Sequence, residues 1–266
     1  MYWSWPRRSH CIRKIITPLR YLIKLAYNGT NYHGWQKQIN ARSVQQVLEE
    51  KLSLLLGTTI ETLGCGRTDT GVHAKDFYAH FDFEDVLNTD KLVYKLNQIL
   101  PADVVVENIN EVKVDFNARF DATSRTYEYW ITAKRNPFLV ELAWYRHENF
   151  DVDAMNRAAQ LLIGAHDFEC FSKVKTQVNN FRCHVIKANW HQQNDCLIFT
   201  ITANRFLRNM VRAIVGTLIE VGRNKLSLED FEKILASKNR CEAGQSVPAK
   251  GLFLTKVEYP KGIINT

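Results

Sequence analysis

Residues 64–74 read Gly-Cys-Gly-Arg-Thr-Asp-Thr-Gly-Val-His-Ala, and they concentrate groups able to do chemistry. Three glycines within eight positions let a backbone bend tightly and come close to a ligand. One carboxylate, Asp69, stands mid-loop, two residues after Arg67. A neighbouring cation favours the ionised carboxylate and orients it. Such a group can attack carbon covalently, as glycosidase nucleophiles do. The competing reading is a turn cap, a common use of Asp in Gly-rich loops, and composition alone leans that way. Asp69-Thr70-Gly71 also matches the aspartic protease triplet, but that chemistry needs two carboxylates sharing a proton. The sequence holds no second triplet, and Arg67-Thr68 replaces the apolar residues expected before it. His73, His80 and Asp82 fit no zinc spacing, so packed or surface histidines are the simpler reading and no metal site is assigned.

Two further segments carry clustered arginines. In residues 119–129, Arg119 and Arg125 bracket a turn, and Arg125, Tyr127 and Tyr129 fall on one face of a strand. Arg and Tyr together can hold phosphate and stack a base; core aromatics in an ordinary strand are the equal alternative. In residues 204–216, helical spacing sets Arg205, Arg208 and Arg212 within an arc of roughly 60°. Leu207, Met210, Val211, Ile214, Val215 and Leu218 form the opposite, apolar face. A solvated charged face is the usual meaning of such a stripe. Three arginines without an interleaved acid point instead to an anionic ligand or a buried carboxylate.

The elements that must position these groups belong to a chain of 266 residues, long enough for one large domain or two ordinary ones. With 45% hydrophobic and 24% charged residues, disordered and fibrous classes are excluded. Lys and Arg exceed Asp and Glu by 35 to 28, a net charge of +7 that suits polyanionic partners. Six scattered cysteines without a C-x-x-C pair read as free thiols of a reducing compartment. No apolar run nears the ~18 residues that span a bilayer. Residues 1–19 read as a basic extension on a cytoplasmic protein, since Trp3, Trp5 and Pro6 fit an amphipathic transit helix poorly and no apolar h-region precedes a cleavage site.

Alternation over 21–27 predicts a strand, and Ser43 with Gln46 a capping box opening a helix that Gly57 stops. A strand over 77–83, a helix over 91–100 and a strand over 104–112 follow. The second half repeats the order: a strand near 143–147, a helix around 154–163, strands at 185–190 and 197–203, a helix from about 206, another after Ser227, and a strand at 252–259. An extra hairpin strand over 116–131 joins the halves. Both halves thus read as βαββαβ, an α+β class of two side-by-side ferredoxin-like or RNA-recognition-like units with mixed, mostly antiparallel sheet, helices on one face and a central cleft. The expected division is 20–115, carrying the Asp loop, 116–260, including the Arg/Tyr hairpin, and a tail at 261–266.

From about Arg20 to Pro260 the sequence resembles the tRNA pseudouridine synthase A family. The resemblance runs through residues 27–36 (Tyr-Asn-Gly-Thr-Asn-Tyr-His-Gly-Trp-Gln), Ser43-Val44-Gln45, the Gly-Arg-Thr-Asp-x-Gly-Val-His-Ala loop, Ser124-Arg125-Thr126-Tyr127, residues 164–168, Met210-Val211-Arg212 and Gly251-Leu252. It implies a cofactor-free enzyme, working as a homodimer, that isomerises uridine to pseudouridine on the 3′ side of the tRNA anticodon stem-loop. It makes Asp69 the nucleophile, Tyr127 the ring stacking on the flipped base, and Arg212 the partner of the carboxylate; the chemistry itself asks for a carboxylate near C1′, as nucleophile or as base at the sugar. Arg67, Arg125, Arg205, Arg208 and His73 are expected to bind substrate. The chain departs from the family pattern at Cys65 and Thr70, where small alanines are commoner, and follows it only loosely over 173–184. The rival readings are a noncatalytic RNA-binding protein on the same fold, which has no use for a carboxylate among phosphates, and a metal-dependent nucleic-acid hydrolase, which a chelator would inhibit.

Overall fold

The computed structural model describes residues 18–174 and 180–263, so most of the basic extension, part of the 173–184 loop and the end of the tail lie outside the described residues. In chain order the elements are β1 (Leu19–Tyr27), α1 (Val44–Leu56), β2 (Leu63–Gly64), β3 (His73–Phe83), α2 (Thr89–Ile99), β4 (Val104–Val112) and β5 (Ser124–Thr132). They continue with β6 (Trp144–Tyr145), α3 (Val152–Gln160), β7 (Gly164–Asp167), β8 (Arg182–Gln193), β9 (Cys196–Ala203), α4 (Met210–Gly222), α5 (Leu228–Ser237) and β10 (Leu252–Glu258).

The strands form one sheet in the order β4-β1-β3-β10-β5-β9-β8-β7, with β2 added to β3 and β6 to β5. All pairings are antiparallel except β10 with β3 and β6 with β5. The first half is spatially β4-β1-β3-β2 and the second β10-β5-β9-β8, so each follows the same order of its own four strands. The α+β class of mixed, mostly antiparallel sheet therefore holds, as one continuous sheet.

Strand β5 is the first strand of the second half and not an extra hairpin. Its nine residues run between β10 and β9, while residues before Ser124 are turn and bend. The strand expected at 143–147 shrinks to two-residue β6, because a short 3-10 turn and further turn residues precede it. Helix α1 has Ser43 at its N-cap, accepting from Gln46 N at 3.2 Å, and left-handed Gly57 at its end. The capping box there is half made, since the Gln46 side chain turns to Glu50 instead; Ser227 and Asp230 complete both halves at α5.

Both helix layers cover the same face of the sheet. α1 and α2 close a core with Ile23, Leu25, Phe77 and Phe81, which also takes Leu254 and Val257 of β10. α3, α4 and α5 close a second core with Tyr129, Phe199 and Ile201. Tyr127 packs on both cores, so it marks the seam between them. A small third cluster of Leu22, Phe116 and Ala118 lies on the other face under Tyr259.

Candidate active site

Residues 65–72 connect β2 to β3, and they leave the sheet where two-residue β2 ends and β10 takes over the edge of β3 at His73 and Ala74. Residues 27–35 cradle this loop. The Trp35 amide donates to the Thr68 carbonyl at 3.3 Å, Gly71 N donates to Tyr32 O at 3.2 Å, and the Tyr27 and Thr68 hydroxyls lie 2.9 Å apart. Gly34 sits at φ +83°, and a Cβ there would stand 2.2 Å from Thr68 O, so only glycine lets the two chains approach. Within the loop Val72 N donates to Asp69 O at 3.1 Å, closing a turn with the Asp69 side chain free of capping duty.

The Asp69 carboxylate, 28% exposed, has Arg208 Nε 3.7 Å from one oxygen and Arg212 Nη1 3.8 Å from the other. Among the described residues neither oxygen accepts a hydrogen bond. The group is thus held by charge at the N-terminal end of α4, where the helix dipole also favours an anion, with its lone pairs open. Arg212 is itself anchored, donating from Nε to Val247 O at 2.7 Å. The expected helical arc is corrected: α4 begins at Met210, after left-handed Asn209, so Arg205 and Arg208 precede the helix. Arg208 is exposed and still reaches Asp69; half-buried Arg205 makes no ion pair among the described residues.

Tyr127 supplies an aromatic surface at the seam, with the Phe206 ring edge-on at 5.0 Å between centroids. Burial raises the Tyr127 phenol well above its ordinary range, and Cys65 and Asp69 push the same way against the opposing pull of Arg125. Burial likewise pushes the Cys65 thiol up to about 12, which removes it as a nucleophile.

Two residues expected to touch substrate are spent on the scaffold. Arg125 donates to four carbonyls, Ala122 O and Asn204 O from Nη1, Cys65 O and Arg119 O from Nη2, at 2.5–3.0 Å. It ties the Asp loop to the 119–122 turn and to the segment before α4, and has no free fork for phosphate. His73 is buried, accepts from Gly29 N at Nδ1, and turns Nε2 to Glu141 O and Lys250 O at 3.1 and 3.0 Å. With Nδ1 accepting, the proton must be on Nε2, so His73 is a neutral staple across the seam. Arg67 differs: it is exposed, with Nε bonded to Gln36 Oε1 at 3.1 Å.

Phe206, beside Tyr127, and the pairing of Gln45 with Glu49 on the buried side of α1 have no place in the sequence reading. Their signal was available as an i,i+4 polar pair among Val44, Leu48 and Leu52. Among the described residues no three His, Cys, Asp or Glu side chains are grouped as a metal site requires.

The class of the molecule follows from its sequence relatives: residues 158–260 match a family model described as tRNA pseudouridine synthase. Proteins named tRNA pseudouridine synthase A are similar over nearly the whole length. That of Bacteroides thetaiotaomicron is 49% identical over 249 residues, 92% of this chain and 93% of the relative. That of Bacteroides fragilis is 50% identical over 246 residues, 92% of this chain and 98% of the relative. The more distant Caldicellulosiruptor bescii protein is 39% identical over 240 residues, 90% and 98% of the two chains. The chain belongs to the tRNA pseudouridine synthase A family.

Proposed function

We propose that this protein isomerises uridine to pseudouridine in tRNA, on the 3′ side of the anticodon stem-loop, with Asp69 as nucleophile. The observation that carries the reading is the Asp69 carboxylate, ion-paired to Arg208 and Arg212 yet with no hydrogen bond among the described residues, beside the seam where Tyr127 packs on both cores. The reaction breaks N1–C1′, rotates the uracil and rejoins it through C5; C5 loses its proton and N1 gains one. Asp69 attacks C1′ as N1 departs and leaves as C5 bonds to it, so the carboxylate is regenerated. Arg212 holds the carboxylate in place and balances its charge before and after the covalent stage. No electrons are transferred, so the chemistry asks for no redox cofactor.

A uridine in a stem must leave its stack, at a cost of a few kcal/mol that stacking in the new site offsets. Tyr127 provides that stacking surface, and Arg67 and Arg208, both exposed, face the tRNA backbone near the extruded nucleotide. The excess of cations predicts binding that weakens steeply with salt. The reading also includes a homodimer in which each tRNA crosses both subunits, and a cytoplasmic location; among the described residues no helix is long and apolar enough to cross a membrane.

The test is tritium release from tRNA labelled at uridine C5, in chelator, by the wild type and by Asp69→Asn. Release by the wild type alone, with tRNA affinity retained in the variant, is expected. Tight tRNA binding without release by either protein would replace the isomerase with a noncatalytic RNA-binding protein.

A further inference from the structure

We propose that Gln36, Gln45 and Glu49 act as a positioning relay that holds the Arg67 side chain in the orientation it needs for substrate. The inference rests on the reading of Arg67 given above and names the residues that make it work.

The direction of every bond in the relay follows from its buried end. The Glu49 side chain is 7% exposed and pairs with Lys37 Nζ at 3.2 Å. Its Oε1 takes hydrogen bonds from Thr62 N at 2.8 Å, Thr62 Oγ1 at 3.1 Å and Gln45 Nε2 at 3.0 Å. A carboxylate so placed can only accept, so Gln45 must present its amide NH2. The second hydrogen of that NH2 goes to Thr62 O at 2.8 Å. Gln45 Oε1 is thereby turned outward, where it accepts from Gln36 Nε2 and from Lys37 N, both at 2.9 Å. This leaves Gln36 Oε1 as the outermost acceptor, and Arg67 Nε donates to it at 3.1 Å. Neither amide can flip: turning Gln45 would set its carbonyl against a carboxylate, and turning Gln36 would set its carbonyl against the Gln45 carbonyl and its NH2 against the guanidinium.

The inner half of this chain ties α1 to the approach to β2, which is a folding task. The outer half serves no such task, since Gln36 and Arg67 are both exposed and touch through a single bond. Its effect is on Arg67 alone. Fixing Nε orients the planar guanidinium, and neither Nη group bonds to any described residue, so the whole fork faces outward. A long, rotamer-rich side chain is thus ordered before substrate arrives, which moves an entropic cost from the binding and extrusion steps to folding.

The experiment is a double-mutant cycle of Gln36→Leu with Arg67→Ala, read by single-turnover tritium release at saturating tRNA and by the Arg67 Nε–H NMR signal of the free protein. Gln36 is exposed, so the thermal midpoint should hold while the rate falls about fivefold, a coupling typical of residues in contact. The Nε–H signal should sharpen and resist solvent exchange in the wild type and lose that protection in Gln36→Leu. In the Arg67→Ala background Gln36→Leu should change nothing. Glu49→Gln, which lets Gln45 turn, should reproduce the rate loss and the lost protection if it folds; Gln36→Leu decides the matter alone if it does not. Equal fold-losses from Gln36→Leu in both backgrounds, or an unprotected Nε–H in the wild type, would overturn the relay. A wild type that releases no tritium would instead overturn the isomerase reading, and the NMR signal would still decide whether Gln36 and Glu49 order Arg67.

Discussion

The two halves share one strand order and differ at the second strand. In the first half that strand, β2, has two residues; its counterpart β8 has twelve and carries β7 beyond it. A full β2 would occupy the whole edge of β3. Its early end frees the register at His73 and Ala74 for β10, so the last strand of the chain joins the halves into one sheet. It also releases residues 65–72 as a loop at that joint. The first half then contributes the carboxylate, and the second contributes Arg208, Arg212 and Tyr127. Neither half alone holds the site. Shortening one strand of a repeated unit is enough to create both the seam and the group that works in it.

The sharpest way to break this division of labour is to remove one contribution at a time. Asp69→Asn keeps the loop and loses the nucleophile, and kcat should fall by at least about 10³-fold, as for other covalent catalysts, with tRNA affinity nearly intact. Equal loss of both would recast Asp69 as a binding or folding residue. Arg212→Met removes the better-ordered cation, and kcat should fall about 10²-fold, the cost of one preorganised electrostatic partner. Arg205→Met, which lacks the Asp69 contact, should spare kcat and flatten the salt dependence of binding. A kcat loss in Arg205→Met equal to that in Arg212→Met would remove the distinction drawn between them.

The next contrast is between two glycines of similar backbone. Gly34 and Gly57 have φ of +83° and +71°, but only Gly34 has the loop against it; nothing lies within 4 Å of a Cβ built at Gly57. Gly57→Ala should cost about 1 kcal/mol, the left-handed penalty alone, with normal kcat. Gly34→Ala should cost about 3 kcal/mol, adding overpacking to that penalty, and should lower kcat by displacing Thr68 and Asp69. Urea unfolding and steady-state kinetics on the two variants check both. Similar losses would mean that residues 27–35 only fold and do not cradle the loop.

Much of the fold was legible because its signals are local. The alternation of β1 and the apolar stripe of α1 announce themselves within a few residues, as does the Ser227 cap. The first strand of the second half was misplaced because its identity is set by pairing with β10 and β9, each far away in sequence. At the site, Arg212 lies against Asp69 as the resemblance implies, and Arg208, expected on substrate, reaches the carboxylate as well; composition marks the glycine-rich loop and the acid-free arginine run without assigning their tasks. The parts that were not readable are about direction. Arg125 and His73 have the residue types of ligand contacts, and only the positions of six carbonyls show that the scaffold uses them. The start of α4 at Met210 follows from the left-handed turn at Asn209, which no helical-spacing argument can foresee.

His73 and His80 give the smallest effect and separate seam from half. Burial lowers the pKa of both; Arg20 also lowers that of His80, opposed by Asp82 and Asp121, while the Lys250 and Glu141 carbonyls and the Glu141 charge oppose the shift at His73. Each accepts a backbone N–H at Nδ1, from Gly29 and from Ala118, so protonating that nitrogen would set donor against donor. The unfolded chain binds these protons near its ordinary histidine pKa of about 6.5 and the folded chain only at lower pH. Stability is therefore complete above that value and declines as pH falls through it towards the depressed folded values. His73 spans the seam, bonding Gly29 of the first half and Glu141 and Lys250 of the second, whereas His80 packs on Ala118 and Phe116 under the sheet. Urea midpoints at pH 7 and pH 5 should thus converge in His80→Gln as well as in His73→Gln. Only the loss of turnover at low pH should be specific to the seam, and it should persist in His80→Gln and weaken in His73→Gln. A low-pH loss of turnover that His80→Gln relieves equally would place the acid-sensitive link at His80 under the sheet and leave the His73 staple intact.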